Sequence, residues 1–332
     1  MPTSLLSFVV GCALAAVLTP TVRPLLVRVG VLDEPNARSL HSGPVPRGGG
    51  IAVAIGTLAA AGFSGWDPAA TGLSIVAVLL GLIGGLDDRF HLSARVRLGA
   101  QLVVPALAMP LLFVGSSGAT GRMIALGALA VVWCSAYVNA FNFMDGINGL
   151  SVGQTLVAGV SLGWLADYVG EPVLVSCALA VAGAALGFLP YNAPRASVFL
   201  GDVGSYFLGA WLSLLLVALV VNGAPVLVAM GPFVLYLVDT GSTLVRRGLR
   251  RETLWSAHRE HAYQRLVQAG WSHSRVALLA VAVMAISSLL LNATVSSAAV
   301  LQVGAMVVAV AVSAGFVVLP SLLGDQHRVQ AS

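Results

Sequence analysis

The chain has 332 residues, of which 58% are hydrophobic and only 9% are charged. Soluble domains carry about 25% charged residues, so this composition excludes an ordinary soluble protein and indicates a polytopic membrane protein. All 17 basic residues are Arg, which excludes any chemistry that needs a Lys amine. The net charge of +4 is small and scattered along the chain, so we expect no nucleic-acid partner, whereas membrane lipids and phosphorylated substrates are compatible with it.

Apolar runs long enough to cross a bilayer follow one another along the whole chain. They predict an all-α fold, a polytopic integral membrane protein with about 11 transmembrane helices, and a single domain over residues 1–332. The predicted spans cover residues 4–22, 50–65, 71–86, 98–114, 123–138, 151–167, 173–190, 206–221, 225–243, 276–292 and 297–319.

Polar residues are divided unequally between the two sides of the predicted bundle. Sixteen of the 17 Arg and all six His fall on one side, and only Arg122 lies opposite. By the positive-inside rule the Arg-rich side is cytoplasmic, which places the N-terminus outside and the C-terminus inside. Nine of the 13 acidic residues share the cytoplasmic side, while Asp239 falls within a predicted span.

Two adjacent carboxylates, Asp87 and Asp88, stand at the cytoplasmic end of the third span, and Arg97 follows them. Carboxylates at a bilayer boundary are costly unless they are paired, hydrated or bound to a metal. A divalent cation is a natural partner, because Mg²⁺ combines one or two carboxylates with phosphate oxygens. A solvated salt bridge to Arg89 is the alternative.

Three amides and a carboxylate lie between the fifth and sixth spans: Asn139, Asn142, Asp145 and Asn148. The first three are spaced by threes, so a helix would stack them on one face. Capping of the next helix by Asn148 or Ser151 is the alternative, although capping alone does not require four hydrogen-bonding side chains.

A third cluster precedes the eighth span, where Asp202 is flanked by Gly201 and Gly204 and preceded by Phe199. An isolated Asp at a helix entrance is either an N-cap or a metal ligand. Phe199 offers a ring on which a nucleotide base can stack, or else packs at the membrane interface.

The longest polar segment is the cytoplasmic loop 245–275, which we expect to contribute to the active site. Its Arg run indicates a topology anchor, whereas His258 and His261 stand three residues apart and can face one ligand. Zinc is disfavoured because no Cys or other third ligand accompanies them. Imidazoles beside Arg259 suit a pyrophosphate better.

The segment before the second span combines Arg47 with the glycine run Gly48–Gly50. Such a run bares backbone N–H groups, which together with Arg47 can hold an anion.

Taken in order, these motifs resemble the polyprenyl-phosphate N-acetylhexosamine-1-phosphate transferases, glycosyltransferase family 4, which also contains the phospho-muramyl-pentapeptide translocases. The resemblance covers essentially residues 5–275. It rests on the motifs at His41–Gly50, Asp87–Asp88 with Arg95, Arg97 and Gln101, Asn142–Leu150, Phe199–Ser205 and His258–His261.

The resemblance implies a Mg²⁺-dependent reaction, with Mn²⁺ as a substitute, at the bacterial cytoplasmic membrane. A polyprenyl (undecaprenyl) phosphate attacks the β-phosphate of a UDP-N-acetylhexosamine, giving a lipid-pyrophosphoryl-sugar and UMP as the first step of surface-glycan synthesis. The family allows a homodimer. It implies Asp87, Asp88 and Asp202 as catalytic residues, with Asp202, Asp88 and Asn142 at the metal. The residues it implies for substrate binding are Arg47, Arg97, Asn139, Asn142, Asp145, Asn148, Phe199, His258, Arg259 and His261.

The same resemblance assigns individual roles. Asp202 would be the principal metal ligand, and Asp87 and Asp88 would hold the metal edge or deprotonate the lipid phosphate. Phe199 would approach the uracil. The phosphates would be bound by Arg97, His258 and His261.

Two departures bear on the substrate. The muramyl-pentapeptide branch has a second Asp where this chain has Asn148, and three consecutive histidines where this chain has His258–His261. Both differences argue against a peptidoglycan precursor. The chain looks more like the branch that begins O-antigen, teichoic acid or related glycans, whose sugars include GlcNAc, GalNAc, FucNAc and QuiNAc.

A transporter or lipid-carrier flippase with a cytoplasmic anion site is the alternative from another class. It predicts ionisable groups near the bilayer midplane, where this chain offers only Asp239, seven residues before Arg246. A membrane scaffold for glycan assembly is a third hypothesis, but it would not need the carboxylates.

Overall fold

The computed structural model describes residues 2–33, 44–114, 120–253 and 258–330. His41, one of the motif residues, lies outside the described residues. The described helices are α1 (Pro2–Val29), α2 (Gly50–Ala61), α3 (Pro68–Phe90), α4 (Ala94–Leu112), α5 (Thr120–Met144), α6 (Leu150–Val169), α7 (Pro172–Asn192), α8 (Gly201–Val221), α9 (Val226–Ala229), α10 (Val234–Leu249), α11 (Ala262–Gln268), α12 (His273–Asn292) and α13 (Ala299–Gln330). Two 3₁₀ turns, Gly62–Ser64 and Gly231–Phe233, and a short antiparallel ribbon of β1 (Leu32–Asp33) and β2 (Val45–Pro46) complete the fold.

Several helices begin where the sequence supplies a cap. The Asp67 carboxylate accepts a hydrogen bond from the Ala70 N–H at 2.6 Å, and Pro68 occupies the first position of α3. Ser93 starts α4 and Ser272 starts α12 in the same way. Because these side chains satisfy backbone N–H groups that no helical turn can reach, they fix where the helices begin.

Helix α8 forms the centre of the bundle. It contacts α2, α3, α5, α6 and α7. In its most apolar stretch of 18 residues, 94% of the residues are buried. In the corresponding stretches of α1 and α13, only 22% and 28% of the residues are buried. Since α1 and α13 are equally apolar, their exposed faces are suited to lipid, whereas the start of α8 is surrounded by protein.

Glycines allow the helices to approach closely. A Cβ on Gly183 or Gly187 of α7 would collide with backbone carbonyls of α1, and one on Gly159 of α6 would lie 2.7 Å from the Ala178 carbonyl oxygen of α7. Such contacts stabilise helix association in lipid, where burial of apolar side chains from water contributes little. Gly183 and Gly187, spaced four residues apart on α7, therefore lie at a helix–helix interface.

Among the residues that the structure describes, eight helices are long and apolar enough to cross a membrane: α1, α3, α4, α5, α7, α8, α12 and α13. This finding confirms an all-α polytopic membrane protein but not the predicted count of about 11. Helix α2 has only 12 residues, and the predicted span 225–243 is interrupted at Gly231–Phe233, between α9 and α10. Helix α6, which covers the predicted span 151–167, is 20 residues long but is not one of the eight.

Candidate active site

The glycine run before α2 is hydrogen-bonded to the segment before α8. The N–H groups of Gly48 and Gly49 donate to the Phe199 carbonyl at 3.1 and 2.8 Å, and that of Gly50 donates to the Leu200 carbonyl at 2.9 Å. These N–H groups are therefore not free for an anion, so the expected backbone anion site is wrong. The run instead brings Arg47 beside Asp202.

Asp88 fixes the start of α8. Its two carboxylate oxygens accept hydrogen bonds from the backbone N–H groups of Asp202 and Val203 at 3.0 and 3.1 Å, and the Arg47 Nε lies 2.8 Å from Oδ1. Gly201 has a φ of +76°, and a side chain there would meet the Asp88 carboxylate. Asp88, at the end of α3, thus acts as a cap contributed by another helix, with a side chain only 2% exposed.

Asp87 faces a different set of neighbours. One carboxylate oxygen accepts the Leu92 N–H at 2.8 Å, and the other accepts a hydrogen bond from the Arg97 guanidinium at 2.9 Å. The Asp87 carboxylate also lies close to that of Asp202. The structure therefore brings Asp87, Arg97 and Asp202 together, as the motifs predict.

Asp202 lies at the centre of the site. Its Oδ1 accepts hydrogen bonds from the Arg47 Nη2 at 2.7 Å and the Asn142 Nδ2 at 2.9 Å. Asn142 also contacts the Ser205 hydroxyl at 2.9 Å. Three separate parts of the chain meet here: the segment before α2, the end of α5 and the start of α8.

Arg47 carries the positive charge of this cluster. Burial disfavours its charged form, but the carboxylates of Asp202 and Asp88 more than offset this effect and raise the pKa of the guanidinium. One side chain thus bridges two carboxylates from different helices, and 35% of it is exposed to an incoming ligand.

The donor atoms around Asp202 are compatible with a magnesium ion. Asp87 and Asp202 present neighbouring carboxylates, and Asn142 adds an amide. Mg²⁺ is bound by oxygen ligands, usually one or two carboxylates together with substrate phosphates and water. Within the described residues there is no group of three or more His, Cys, Asp or Glu side chains that could hold a metal alone, so substrate oxygens would have to complete the coordination.

Asn139 does not join Asp202. Its amide donates to the Gln101 Oε1 at 2.5 Å and to the Ser135 carbonyl at 2.8 Å, so it ties α5 to α4. Asp145 comes directly after the last residue of α5. The expected stacking of Asn139, Asn142 and Asp145 on one helical face is therefore incomplete, because the helix ends before the third of them.

Asp145 lies in the turn between α5 and α6. Burial raises the pKa of its carboxyl group to about 7, although the charge of Arg47 acts in the opposite direction. Asn148, in the same turn, donates to the Pro194 carbonyl at 3.1 Å. This contact ties the turn to the segment that carries Phe199, whose side chain is half-buried.

The two histidines of the cytoplasmic loop form a pair, with ring centroids 5.0 Å apart. Buried nitrogens without a hydrogen-bond partner in the described part of the chain include His258 Nδ1, Arg259 Nε and Nη2, and His261 Nε2. Burial lowers the pKa of His258 to about 4, an effect reinforced by His261 and Arg247. His258 is therefore a neutral hydrogen-bonding group near pH 7, and Arg259 supplies charge.

The sequence did not lead us to assign Phe143, Tyr263 or Asp239 to the site. The Phe143 ring lies 6.4 and 6.0 Å from the rings of His258 and His261, and its carbonyl accepts the Tyr263 hydroxyl at 2.9 Å. Phe143 thereby joins the histidine pair to the end of α5. Its position beside Asn142 was the available signal, but Phe is so frequent in membrane helices that the signal is weak.

The chain matches known proteins over most of its length. Residues 70–220 match the family described as glycosyl transferase family 4. The chain is 33% identical over 345 residues to the decaprenyl-phosphate N-acetylglucosaminephosphotransferase of Mycobacterium tuberculosis, covering 88% of this chain and 83% of the relative. It is 29% identical over 280 residues to the probable undecaprenyl-phosphate N-acetylglucosaminyl 1-phosphate transferase of Bacillus subtilis, covering 80% and 78%.

A third relative is the undecaprenyl-phosphate alpha-N-acetylglucosaminyl 1-phosphate transferase of Escherichia coli, 29% identical over 276 residues, which cover 77% of this chain and 74% of the relative. These matches cover 77–88% of the chain and so extend well beyond the region 70–220. Together with the membrane bundle and its carboxylate cluster, they show that the chain belongs to glycosyl transferase family 4.

Proposed function

We propose that the protein transfers N-acetylglucosamine 1-phosphate from UDP-N-acetylglucosamine to a polyprenyl phosphate, forming a lipid-pyrophosphoryl-sugar and UMP. The observation that carries the proposal is the cluster of Asp87, Asp88 and Asp202 with Arg47 and Asn142 at one end of a membrane bundle. The relatives are named for polyprenyl phosphates and N-acetylglucosamine, which supports this acceptor and this sugar.

The reaction requires negative charge to be stabilised on a pyrophosphate. An oxygen of the lipid phosphate attacks the β-phosphorus, a new P–O bond forms, and the bond to the bridging oxygen breaks, so that UMP leaves with the electron pair. Fixed cations and hydrogen-bond donors aimed at these oxygens supply most of the catalysis in phosphoryl transfer. Arg47 and Arg97 are the guanidiniums nearest the carboxylates.

A bound Mg²⁺ would neutralise charge developing on the phosphate oxygens, and Asp202, Asp87 and Asn142 are the residues we expect to hold it. Asp88 was a further candidate ligand in the sequence. Its oxygens accept two backbone N–H groups and the Arg47 guanidinium, which supports a role for Asp88 in positioning Asp202. Mn²⁺ has similar ligand preferences and is expected to substitute.

The donor phosphates are expected to lie between the carboxylate cluster and the histidine loop. The unpartnered nitrogens of His258, Arg259 and His261 support this position, because buried donors without protein partners are rare and are satisfied by a ligand. Asn148 lies in the same turn as Asp145 and donates to the Pro194 carbonyl, and Phe199, further along that segment, lies beside Arg47. We assign the uridine to this part of the site.

No strong base is required in the proposed reaction, because a lipid phosphate is largely ionised near pH 7. We therefore favour direct attack by the lipid phosphate over a covalent aspartyl intermediate. In the same scheme the site faces the bacterial cytoplasm, where sugar nucleotides are found, and the product begins a surface glycan.

The test uses purified protein, undecaprenyl phosphate, Mg²⁺ and separate UDP-N-acetylhexosamines. We expect UMP release with UDP-N-acetylglucosamine to exceed that with UDP-N-acetylgalactosamine, and chelation of the metal to abolish it. UMP release with UDP-N-acetylgalactosamine alone would refute the sugar assignment. Absence of turnover with every donor would refute the activity.

A further inference from the structure

Asp239 is a buried carboxylate that the proposed reaction does not use. It lies in α10, its side chain is fully buried, and the preceding residues of that helix are apolar. A carboxylate in such surroundings destabilises a fold unless it is paired and hydrogen-bonded. The contacts of Asp239 therefore indicate what keeps it there.

All the strong contacts of Asp239 reach across to the histidine loop. Both carboxylate oxygens lie 3.1 Å from the backbone N–H of Ala262, and Oδ1 lies 3.3 Å from the Nδ1 of His261. The Thr243 hydroxyl is a weaker donor at 3.4 Å. Asp239 is thus bound to two consecutive residues that lie more than twenty positions further along the chain.

The contact with Nδ1 determines which atom His261 offers to a ligand. A carboxylate beside Nδ1 fixes the orientation of the ring about its side-chain bonds and so sets where Nε2 points. The opposite nitrogen, Nε2, is buried and has no hydrogen-bond partner among the residues described. Tyr263 stacks on the ring at 6.0 Å with an interplanar angle of 12°, which holds its plane.

We propose that Asp239 is a positioning residue for the sugar nucleotide: it orients His261 so that the buried Nε2 of the ring faces the phosphates of the donor. This inference rests on the proposed function, because it takes the ligand of His261 to be a UDP-sugar phosphate. It assigns a role to Asp239, an acidic residue that the sequence places inside a predicted span.

A purely structural role for Asp239 makes a different prediction. Its carboxylate lies at the N-terminus of α11, where His261 is the N-cap residue and its backbone N–H donates to the Gln264 Oε1 at 3.3 Å. If Asp239 only anchored this helix, its loss would displace the whole loop, including His258 and Arg259, and the effect would not depend on His261.

The experiment is a double-mutant cycle read by equilibrium binding of UDP-N-acetylglucosamine without acceptor lipid. We expect Asp239→Asn and His261→Gln each to weaken binding roughly 10- to 100-fold, the loss associated with one charged hydrogen bond. In the His261→Gln background, Asp239→Asn should weaken binding no further. Unchanged binding by Asp239→Asn, or an equal further loss in the His261→Gln background, would overturn the proposal.

A control variant tests whether the loss is specific to Asp239. Thr240→Val alters the neighbouring residue, whose hydroxyl bonds only within α10, and should leave binding unchanged.

The same binding assay distinguishes this inference from the proposed function. If wild-type protein does not bind UDP-N-acetylglucosamine, the proposed donor is wrong. If wild-type protein binds it and the Asp239→Asn protein binds it equally well, the donor stands and the role of Asp239 is refuted.

Discussion

Asp87 and Asp88 are adjacent in the chain but have different partners. Asp88 caps α8 and pairs with Arg47, whereas Asp87 binds Arg97 and lies near Asp202. From sequence alone the two carboxylates are equivalent candidates for the metal. The structure separates them because successive residues at the end of α3 point about 100° apart around the helix axis.

Replacement of Asp88 by Asn should lower stability. The amide keeps one acceptor oxygen but turns an N–H₂ donor toward the backbone N–H groups of α8, and it removes the charge that pairs with Arg47. We expect a loss of about 1–3 kcal/mol, measured as a lower unfolding temperature in detergent. An unfolding temperature equal to that of wild type would show that the cap is unimportant.

Asp145 should make stability depend on pH. Burial raises the pKa of its carboxyl group to about 7, above the value of about 3.9 expected in the unfolded chain. Because the folded state binds the proton more tightly, ionisation of Asp145 destabilises the fold as pH rises from about 4 to about 7. The stability of Asp145→Asn minus that of wild type should therefore be greater at pH 8 than at pH 5. Thermal unfolding without ligands measures both stabilities. A stability difference independent of pH would contradict this assignment.

Most of the site residues were predictable because each is a polar residue in an apolar chain. Arg47, Asp88, Asn142 and Asp202 meet as the motifs indicate. The partners of His261 were not predictable, because its contact with Asp239 depends on how the loop returns to α10. The backbone role of the glycine run was also missed, since sequence does not reveal which carbonyls those N–H groups reach.

At the scale of helices, the contact between α3 and α8 positions the carboxylates. A Cβ on Gly84 would collide with the Asp202 carbonyl oxygen, whereas one on Gly85 would make an ordinary contact of 3.7 Å with Val203. Helix boundaries follow similarly local causes. The predicted span 225–243 is interrupted where Gly231 and Pro232 form a 3₁₀ turn. The prediction placed one continuous helix there because the whole stretch is hydrophobic.

Gly84→Ala should therefore impair both stability and activity. The added methyl group must push the start of α8 away from α3, and overpacking of this kind costs about 1–3 kcal/mol. The displacement would also move Asp202, so we expect UMP release to fall more than tenfold, on the order of the penalty for misplaced catalytic groups. The matched control is Gly85→Ala, and comparable losses in both variants would contradict this account of the interface.

At the scale of the whole molecule, the site residues gather at one end of the bundle. The end of α3, the end of α5 and the start of α8 meet at Asp202, and the end of α10 adjoins the histidine loop. The membrane-spanning architecture follows from hydrophobicity, and the distribution of Arg predicts which end is cytoplasmic.

This orientation can be tested with single cysteines in a chain from which Cys12, Cys134 and Cys177 have been removed. Arg28→Cys, near the end of α1, should be protected in intact cells from a thiol reagent that does not cross the membrane. Asn222→Cys, at the end of α8, should react. Both positions are exposed, and reaction of both from outside would contradict the predicted topology.

The central claim is that a sugar phosphate, not a sugar alone, is transferred to the lipid. The direct measurement is the nucleotide released when purified protein, undecaprenyl phosphate and Mg²⁺ are mixed with UDP-N-acetylglucosamine carrying a labelled β-phosphorus. We predict that UMP and lipid-bound label form in equal amounts. Both products should be lost in the folded Asp202→Asn protein and retained in the control variant Asp167→Asn. Release of UDP, label left on the nucleotide, or full activity of Asp202→Asn would contradict the account.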